Sequence, residues 1–466
     1  MKNSRGALLL TMCAGMFLVQ LDVTVVNVAL PTIGSRLHAD LPTLQWVVDG
    51  YAVVLAALLL AGGATGDVWG HRRVVVSGFT VFGLASAGCA LAPDGTVLIG
   101  FRVVQGLGAA LLLPGTLAVI TAAFPGRREQ ARALGVWAGV SALALSAGPL
   151  LGGFLLAVSG WRLLFAINVP LVAVAVVASL RLIRGSERVA GRRVDTGGAV
   201  SAAVALGAVV YGVIEGRAWA FVVAVAAVGV FVVAERRAAD PMLPPSLLRS
   251  RQFVGANLVA GAMNFVGLGT ILVNTLYLQD VLGAAPSTAA LEMVPGFLPL
   301  ALLAPVTGRL TGRFGPRPLM IAGLATGALA MLNLLRIGPG TGYAVFVPGW
   351  LGLGVGMGLL TAAVVAAAVS GVPAERAGVA SGVNNTARQT FGAIGVAVFG
   401  AVAGTPSNHG AFVTGLHTLG LLGAALWVVS IGVVVVSVRG NRRDDASSEK
   451  DSHRDNGVAR CANLER

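Results

Sequence analysis

The stretch LDVTVVNVALP, residues 21–31, lies inside the first long apolar segment of the chain, directly after LLLTMCAGMFLVQ at 8–20. Such flanks fit a lipid or protein interior, yet Asp22 and Asn27 sit among them. An acid at the centre of a membrane span costs about 2.5 kcal/mol or more. It is therefore kept for a task, facing the inside of a bundle or a watery path.

Composition sets the class. Of 466 residues, 56% are hydrophobic and 11% charged, against about 25% charged in soluble domains. The mean hydropathy is +0.83. This predicts an all-α integral membrane protein, with 64 glycines for close helix packing. Lys2 and Arg5 followed by ALLLTMCAGMF open like a signal peptide, but the apolar run continues to Leu30 without a small-residue cleavage site. It reads as a first span. Cys13, Cys89 and Cys461 have no pairing or metal-site spacing and read as small buried hydrophobes plus a tail thiol. No phosphate-binding loop, nucleophile–base pair or metal cluster is evident, and the five histidines are scattered. No enzyme activity, metal or cofactor is expected.

Runs of about 20 apolar residues fall near 7–30, 43–65, 74–92, 96–121, 132–157, 161–181, 196–215, 219–235, 253–279, 288–308, 318–336, 343–369, 377–402 and 414–438. That predicts about fourteen helices, or about twelve if the short seventh and eighth form a re-entrant pair around EGRAW. Placing the N-terminus in the cytoplasm puts most basic residues inside: Arg72, Arg73, Arg127, Arg128, the 181–193 cluster, Arg309, Arg313, Arg317, Arg376 and the tail. Only Arg36, Arg162, Arg217 and Arg336 fall outside. This asymmetry predicts an even span number with both termini cytoplasmic. It accounts for the net charge of +13 through anionic lipid rather than nucleic acid. Residues 441–466 are polar and mixed in charge, and a disordered cytoplasmic tail is expected there.

GDVWGHRRV at 66–74 and GRLTGRFGPR at 308–317 each follow a span at its inner end, one in each half. Both place glycines four apart with basic residues after the second. Repeats of this kind build two-fold transporters whose substrate site lies between the halves. Chance likeness of two Gly/Arg turns is the alternative.

These residues, with several others in order along the chain, resemble the major facilitator superfamily, and within it the fourteen-helix drug:proton antiporter branch. The resemblance covers roughly residues 8–438 and rests on LDVTVVNVALP, WVVDGYAVVLAALLLAGG at 46–63, GATGDVWGHRR, RVVQGLGAALLLP at 102–114, AGPLLGG at 147–153, WRLLFAINVP at 161–170 and GVASGVNNTARQTFGAIGVAVFG at 378–400. It implies two six-helix bundles, at 1–182 and 253–440, joined by a linker at 183–252 that carries two extra helices. Two positions depart from the branch pattern: Val68 and His71 stand where Arg is usual. The loop nevertheless keeps Gly63, Asp67, Gly70, Arg72 and Arg73.

Depth along the helices gives candidates for proton coupling. At 1.5 Å per residue, Asp22 lies about 12 Å and Asp49 about 9 Å from the outer ends of their spans, with Arg102 at a similar level. Two acids and one guanidinium at one level suit a charge cluster on a cavity. There Asp22 and Asp49 would take up protons and Arg102 would compete for them. The alternative for Asp22 is a helix-packing hydrogen bond, and for Asp49 simple solvation at the interface. The resemblance implies a proton-linked role for Arg102 and Gln105. Glu292 is a further acid in the second half.

Gate candidates are Asp67, Arg72 and Arg73 at the inner end of the second span, and Gly148, Pro149, Gly152 and Gly153, whose bend and small surfaces would make a pliable seal. Ordinary close packing would use the same residues. Candidate substrate contacts are Asn27, Trp46, Gln105, Asn274, Asn385, Arg388 and Gln389. Arg388 lies near mid-membrane, where it must face the cavity or pair with an acid. An apolar cavity with a few acids fits amphipathic or cationic organic compounds.

The expected function is a proton-coupled antiporter that exports small organic compounds across the plasma membrane. Only the proton gradient would drive it, and a monomer is expected. A proton-coupled importer on the same fold is the alternative, disfavoured by AGPLLGG, a motif associated with antiport. A sensor or scaffold is disfavoured by the retained membrane charges at Asp22, Arg102 and Arg388.

Overall fold

The computed structural model describes residues 2–124, 126–183, 195–238, 241, 243, 246–338, 340–373 and 376–438. The described residues are helical throughout, with no strand among them. The helices are α1 (Lys2–Leu37), α2 (Leu41–Trp69), α3 (His71–Leu91), α4 (Gly95–Ala123), α5 (Arg127–Ser159), α6 (Arg162–Ala166), α7 (Asn168–Leu182), α8 (Thr196–Ile214), α9 (Ala218–Arg237), α10 (Arg251–Leu276), α11 (Pro286–Phe314), α12 (Pro316–Leu332), α13 (Tyr343–Ser370), α14 (Ala377–Ala403) and α15 (His409–Ser437). Counting α6 with α7, fourteen long helical segments stand where the sequence predicts them.

Of these, twelve are long and apolar enough to cross a membrane, and a thirteenth is α5 if its two arms, bent by 46°, count as one span. Among the described residues this count lies between the expected twelve and fourteen spans. The remaining segment, α14, is long enough, but Asn384, Asn385, Arg388 and Gln389 in its middle lower its hydropathy. The expected tail at 441–466 and the linker stretch 184–194 lie outside the described residues.

Polar side chains start several helices. Asp40, Asp94, Asp195, Ser250 and Asn408 each accept a hydrogen bond from a backbone N–H of the first turn that follows, satisfying donors a helix leaves open. The membrane face is apolar. Val222 and Val225 of α9 and Val436 of α15 are more than two-thirds exposed, which in lipid carries no penalty.

The repeat is visible in the backbone. Gly70 (φ 91°) turns the chain from α2 into α3, and Gly315 (φ 78°) turns it from α11 into α12. Each donates its N–H back to the fourth residue before it, Gly66 and Thr311. A positive φ excludes most side chains, so glycine is required at both turns. The structure thus pairs Gly70 with Gly315, and Trp69 with Phe314, whereas the sequence spacing paired Gly70 with Gly312. Two residues on, Arg72 donates to the carbonyl of Leu180 near the end of α7, and Arg317 to that of Val435 near the end of α15.

The two parts of the chain meet along three seams: α1 against α10, α5 against α11 and α2 against α14. Helix α8 packs on both α2 and α14, with α9 outside it. At the predicted outer end, Gln45 of α2 donates to the Ala397 carbonyl of α14 (3.1 Å). Gln279, in the π-helical turn after α10, donates to the Val28 carbonyl of α1 (2.9 Å). These bonds tie the parts together there.

Candidate functional site

Between α1, α2, α3 and α4 lies one dense polar group. Arg102, on α4, forms an ion pair with Asp22 of α1, and both side chains are 1% exposed. Its Nε donates to the Val47 carbonyl of α2 (2.8 Å), and its Nη1 also donates to Oε1 of Gln105 (2.7 Å). Gln105, one turn further along α4, donates from Nε2 to Asp22 Oδ1 and to Ser86 Oγ of α3, at 3.0 Å each. The Tyr51 ring lies under the guanidinium, 4.3 Å from its centre, and its hydroxyl donates to the Val19 carbonyl. The pair joins α1 to α4, α2 and α4 supply its direct partners, and α3 holds Gln105 in place through Ser86. This is the condition under which a buried pair is tolerated, since each ion alone would cost several kcal/mol.

Beside this group, at the seam of the two parts, is a narrow cavity of about 20 Å³, room for about one water. Asn27, Tyr51 and Arg102 line it from one side, and Leu268 of α10 with Gln389 and Gly392 of α14 from the other. Asn27 donates to the Val23 carbonyl (2.7 Å), while its Oδ1 is buried without a partner. Asn27 and Gln389, two of the expected substrate contacts, both line this cavity. Asn385 lies on the same stripe of α14, one turn from Gln389 and half-buried.

Arg388 is half-buried on α14, and its Nε donates to Asn264 Oδ1 of α10 at 3.4 Å. The partner that the sequence left open is thus a neutral amide. Asn264 stands one turn along α10 from the cavity-lining Leu268, and both flank Gly392. On the same interface Asn384 donates to Asn257 (3.2 Å).

The structure does not bring Asp49 to this group, which corrects the expected two-acid cluster. Asp49 precedes Tyr51 by two residues, which sets it about 160° round the helix. It shares its face with Gln45, Val53 and Ala56, which look toward α8 and α14. It is fully buried, and neither carboxylate oxygen has a hydrogen-bond partner. Equal depth in two helices therefore did not mean contact. Glu292 lies near the predicted outer end of α11, where its Oε2 is buried without a partner and its backbone carbonyl accepts from Tyr343 (2.7 Å). Trp46 also stands away from the cavity: its indole donates to Glu215 of α8 (3.3 Å), and its ring neighbours Tyr211. Asn274 is buried about 9 Å along α10 from Leu268, toward the outer end.

The gate candidates fall at two places. Gly148 and Gly152 let α5 approach α1: a Cβ on Gly148 would collide with Thr24, and one on Gly152 would lie 3.1 Å from the Val25 carbonyl. Gly153 faces α11 instead, where a Cβ would lie 3.2 Å from the Pro286 carbonyl. Pro149 is buried between them. One short motif therefore packs α5 within its own bundle and across the seam. At the other end Arg72 caps α7, as described above, and Arg73 is exposed. The side chain of Asp67 lies outside the described residues. Sequence reasoning missed Ser86 and Asn168, which meet at 3.4 Å behind Gln105. Single small polar residues in apolar helices gave no signal.

Comparison with known proteins agrees with this architecture. The family model described as Major Facilitator Superfamily matches residues 12–396. The chain is 37% identical to the multidrug resistance protein Stp of Mycobacterium tuberculosis, over 84% of this chain and 75% of that one. It is 36% identical to the methylenomycin A resistance protein of Streptomyces coelicolor, over 88% of each. It is 33% identical to the tetracenomycin C resistance and export protein of Streptomyces glaucescens, over 84% of this chain and 75% of that one. With a model match across most of its length and relatives this similar, the chain belongs to the Major Facilitator Superfamily.

Proposed function

We propose that this protein exports small organic compounds across the plasma membrane in exchange for protons, by alternating access between two bundles at 1–182 and 253–440. The names of its relatives, two of them resistance proteins to single antibiotics, support export. The observation that carries the coupling is the buried Asp22–Arg102 pair beside a cavity at the seam. A proton reaching Asp22 neutralises it and releases Arg102 and Gln105 from the acid. Movement of a proton and rearrangement of cavity-lining groups are then one event, and Arg102 competes with the proton for the same carboxylate. Asn27, Gln389 and Asn385 are the proposed substrate contacts. The α5 glycines and the Gln45 and Gln279 bonds form the proposed outer gate, with Asp67, Arg72 and Arg73 at the inner one. Cytoplasmic termini follow from the basic loops, a monomer suffices, and the substrate is amphipathic. The cationic character expected from free cavity acids has less support, because Asp22 is already matched by Arg102 and Asp49 faces elsewhere.

The test uses inside-out vesicles with an acid interior and a pH-sensitive dye. A set of antibiotic-like compounds that includes anions, neutral molecules and cations is added to wild type and to Asp22→Asn, which keeps an acceptor for Arg102. Gradient collapse on addition in the wild type alone is expected. Equal responses would move the carrier acid to Asp49 or Glu292, and uptake with the gradient would replace export by import.

A further inference from the structure

Among the described residues, three charged side chains stand beside the central cavity or next to its lining: Asp22, Arg102 and Arg388, the last adjacent in the chain to the lining Gln389. Asp22 and Arg102 cancel each other. Arg388 has no such partner. Among the described residues its one hydrogen bond is a long one from Nε to the neutral Asn264, and its four other N–H donors meet no acceptor there. Among the described residues no carboxylate reaches it. Glu292 stands near the predicted outer end of α11, beside Tyr343, and Asp49 lies by helix geometry on the face of α2 that carries Val53 and Ala56, which pack toward α8 and α14. At the cavity lining Arg102 is answered by Asp22, while Arg388, next in the chain to the lining Gln389, adds a positive charge beside the cavity with no counter-ion among the described residues.

We propose that Arg388 is the docking point for a carboxylate on the transported compound, and that the substrate is an amphipathic organic anion rather than a cation. This rests on the export reading above. The guanidinium fork fits a carboxylate with two parallel hydrogen bonds. A charge held in the membrane without a counter-ion is expensive, and a ligand that supplies the counter-ion recovers that cost on binding. The neighbours are of the right kind: Asn385 and Gln389 on the same turns of α14 offer amide donors, and Asn264 holds Nε and so aims the outer edge of the fork. Arg102 meets Asp22 in the first bundle, and in the second the compound brings the acid. The cavity is too narrow for an organic molecule in this state, so the compound docks when the seam is open, with its apolar part against Leu268, Ala393 and Val396.

The test uses three probes with one skeleton: pyrenebutyrate, its neutral amide and the matching pyrenylbutyl-trimethylammonium. Binding to purified wild type, Arg388→Gln and Arg388→Lys is read by pyrene fluorescence, and proton movement by a pH dye in proteoliposomes. Wild type is expected to bind the carboxylate about ten- to hundredfold more tightly than the amide, and the cation least. Arg388→Gln should erase the difference between acid and amide, with Arg388→Lys in between. Equal binding of acid and amide by the wild type, preference for the cation or no binding of any probe overturns the proposal. That order decides even if Arg388→Gln does not fold. A carboxylate preference without proton movement leaves the docking point standing and sinks the antiport reading. Proton movement with all three probes alike does the reverse.

Discussion

Arg72 and Arg317 do the same work in two copies of one arrangement. Each follows a turn glycine by two residues, and each donates from Nη2 to a carbonyl in the last turn of the helix that closes its bundle, Leu180 in α7 and Val435 in α15. A cation on the negative end of a helix is favourable by about 0.3–1 kcal/mol at an exposed position.

Arg72→Ala and Arg317→Ala are therefore each expected to lower stability by about 0.3–1 kcal/mol. The double variant should show the sum, because the sites share no partner. Thermal unfolding in detergent measures this. A double variant well outside the sum would mean that the two closures communicate.

Removing one member of the central pair should cost far more. Asp22→Leu leaves Arg102 buried and unpaired, and a loss of about 3–5 kcal/mol is expected. The double variant with Arg102→Met removes both charges and should recover most of that loss while abolishing coupling. A double-mutant cycle on unfolding midpoints, read beside proton movement, separates the two effects. Additive losses would show that the pair does not act as a unit.

Asp49 predicts the opposite sign. Its oxygens are buried without partners, so replacing it with Val removes an unsatisfied group worth about 1–3 kcal/mol. Asp49→Val is expected to raise the unfolding temperature. If proton exchange falls at the same time, Asp49 carries a proton despite its distance from Arg102; unchanged exchange removes it from the candidates. A fall in stability would show that it has a partner within α2, α8 or α14.

Asp40, at the predicted outer surface, gives a pH signature. It accepts from the backbone and hydroxyl of Thr43, and these bonds hold its carboxyl below the usual range. A lowered value in the folded state stabilises above the unfolded value, about pH 3.9. That contribution is lost as pH falls further through the folded value. Asp40→Ala should cost about 1 kcal/mol at neutral pH. The gap to wild type should shrink in acid, as unfolding measured across pH would show.

Most of the helices were legible because they are long apolar runs, and the family was legible because its motifs keep their order. The level of Asp22, Asp49 and Arg102 could also be counted along their helices. Which groups touch could not, because contact depends on how each helix is turned toward its neighbours. Asp49 and Tyr51 are two residues apart, yet one faces α8 and α14 and the other Arg102. Arg388 shows the same limit: its depth announced a buried charge, but only the approach of α10 identifies Asn264 beside it. The repeat register needed the backbone too, since Gly312 and Gly315 are equally plausible as letters and only Gly315 has the positive φ of a turn.

Helix α8 lies against α2 from one part of the chain and α14 from the other, through Val53, Ala56, Leu206, Val210, Ile214, Ala393 and Ala397. Every one of these side chains is aliphatic, so contact there is nearly indifferent to a slip of a few ångströms along the helix axis. In the proposed alternation α8 would then serve as a sliding bearing, held to α2 only near its outer end by the Trp46–Glu215 hydrogen bond and the Trp46–Tyr211 ring contact. It keeps lipid out of the seam while adding little friction to either direction of the stroke.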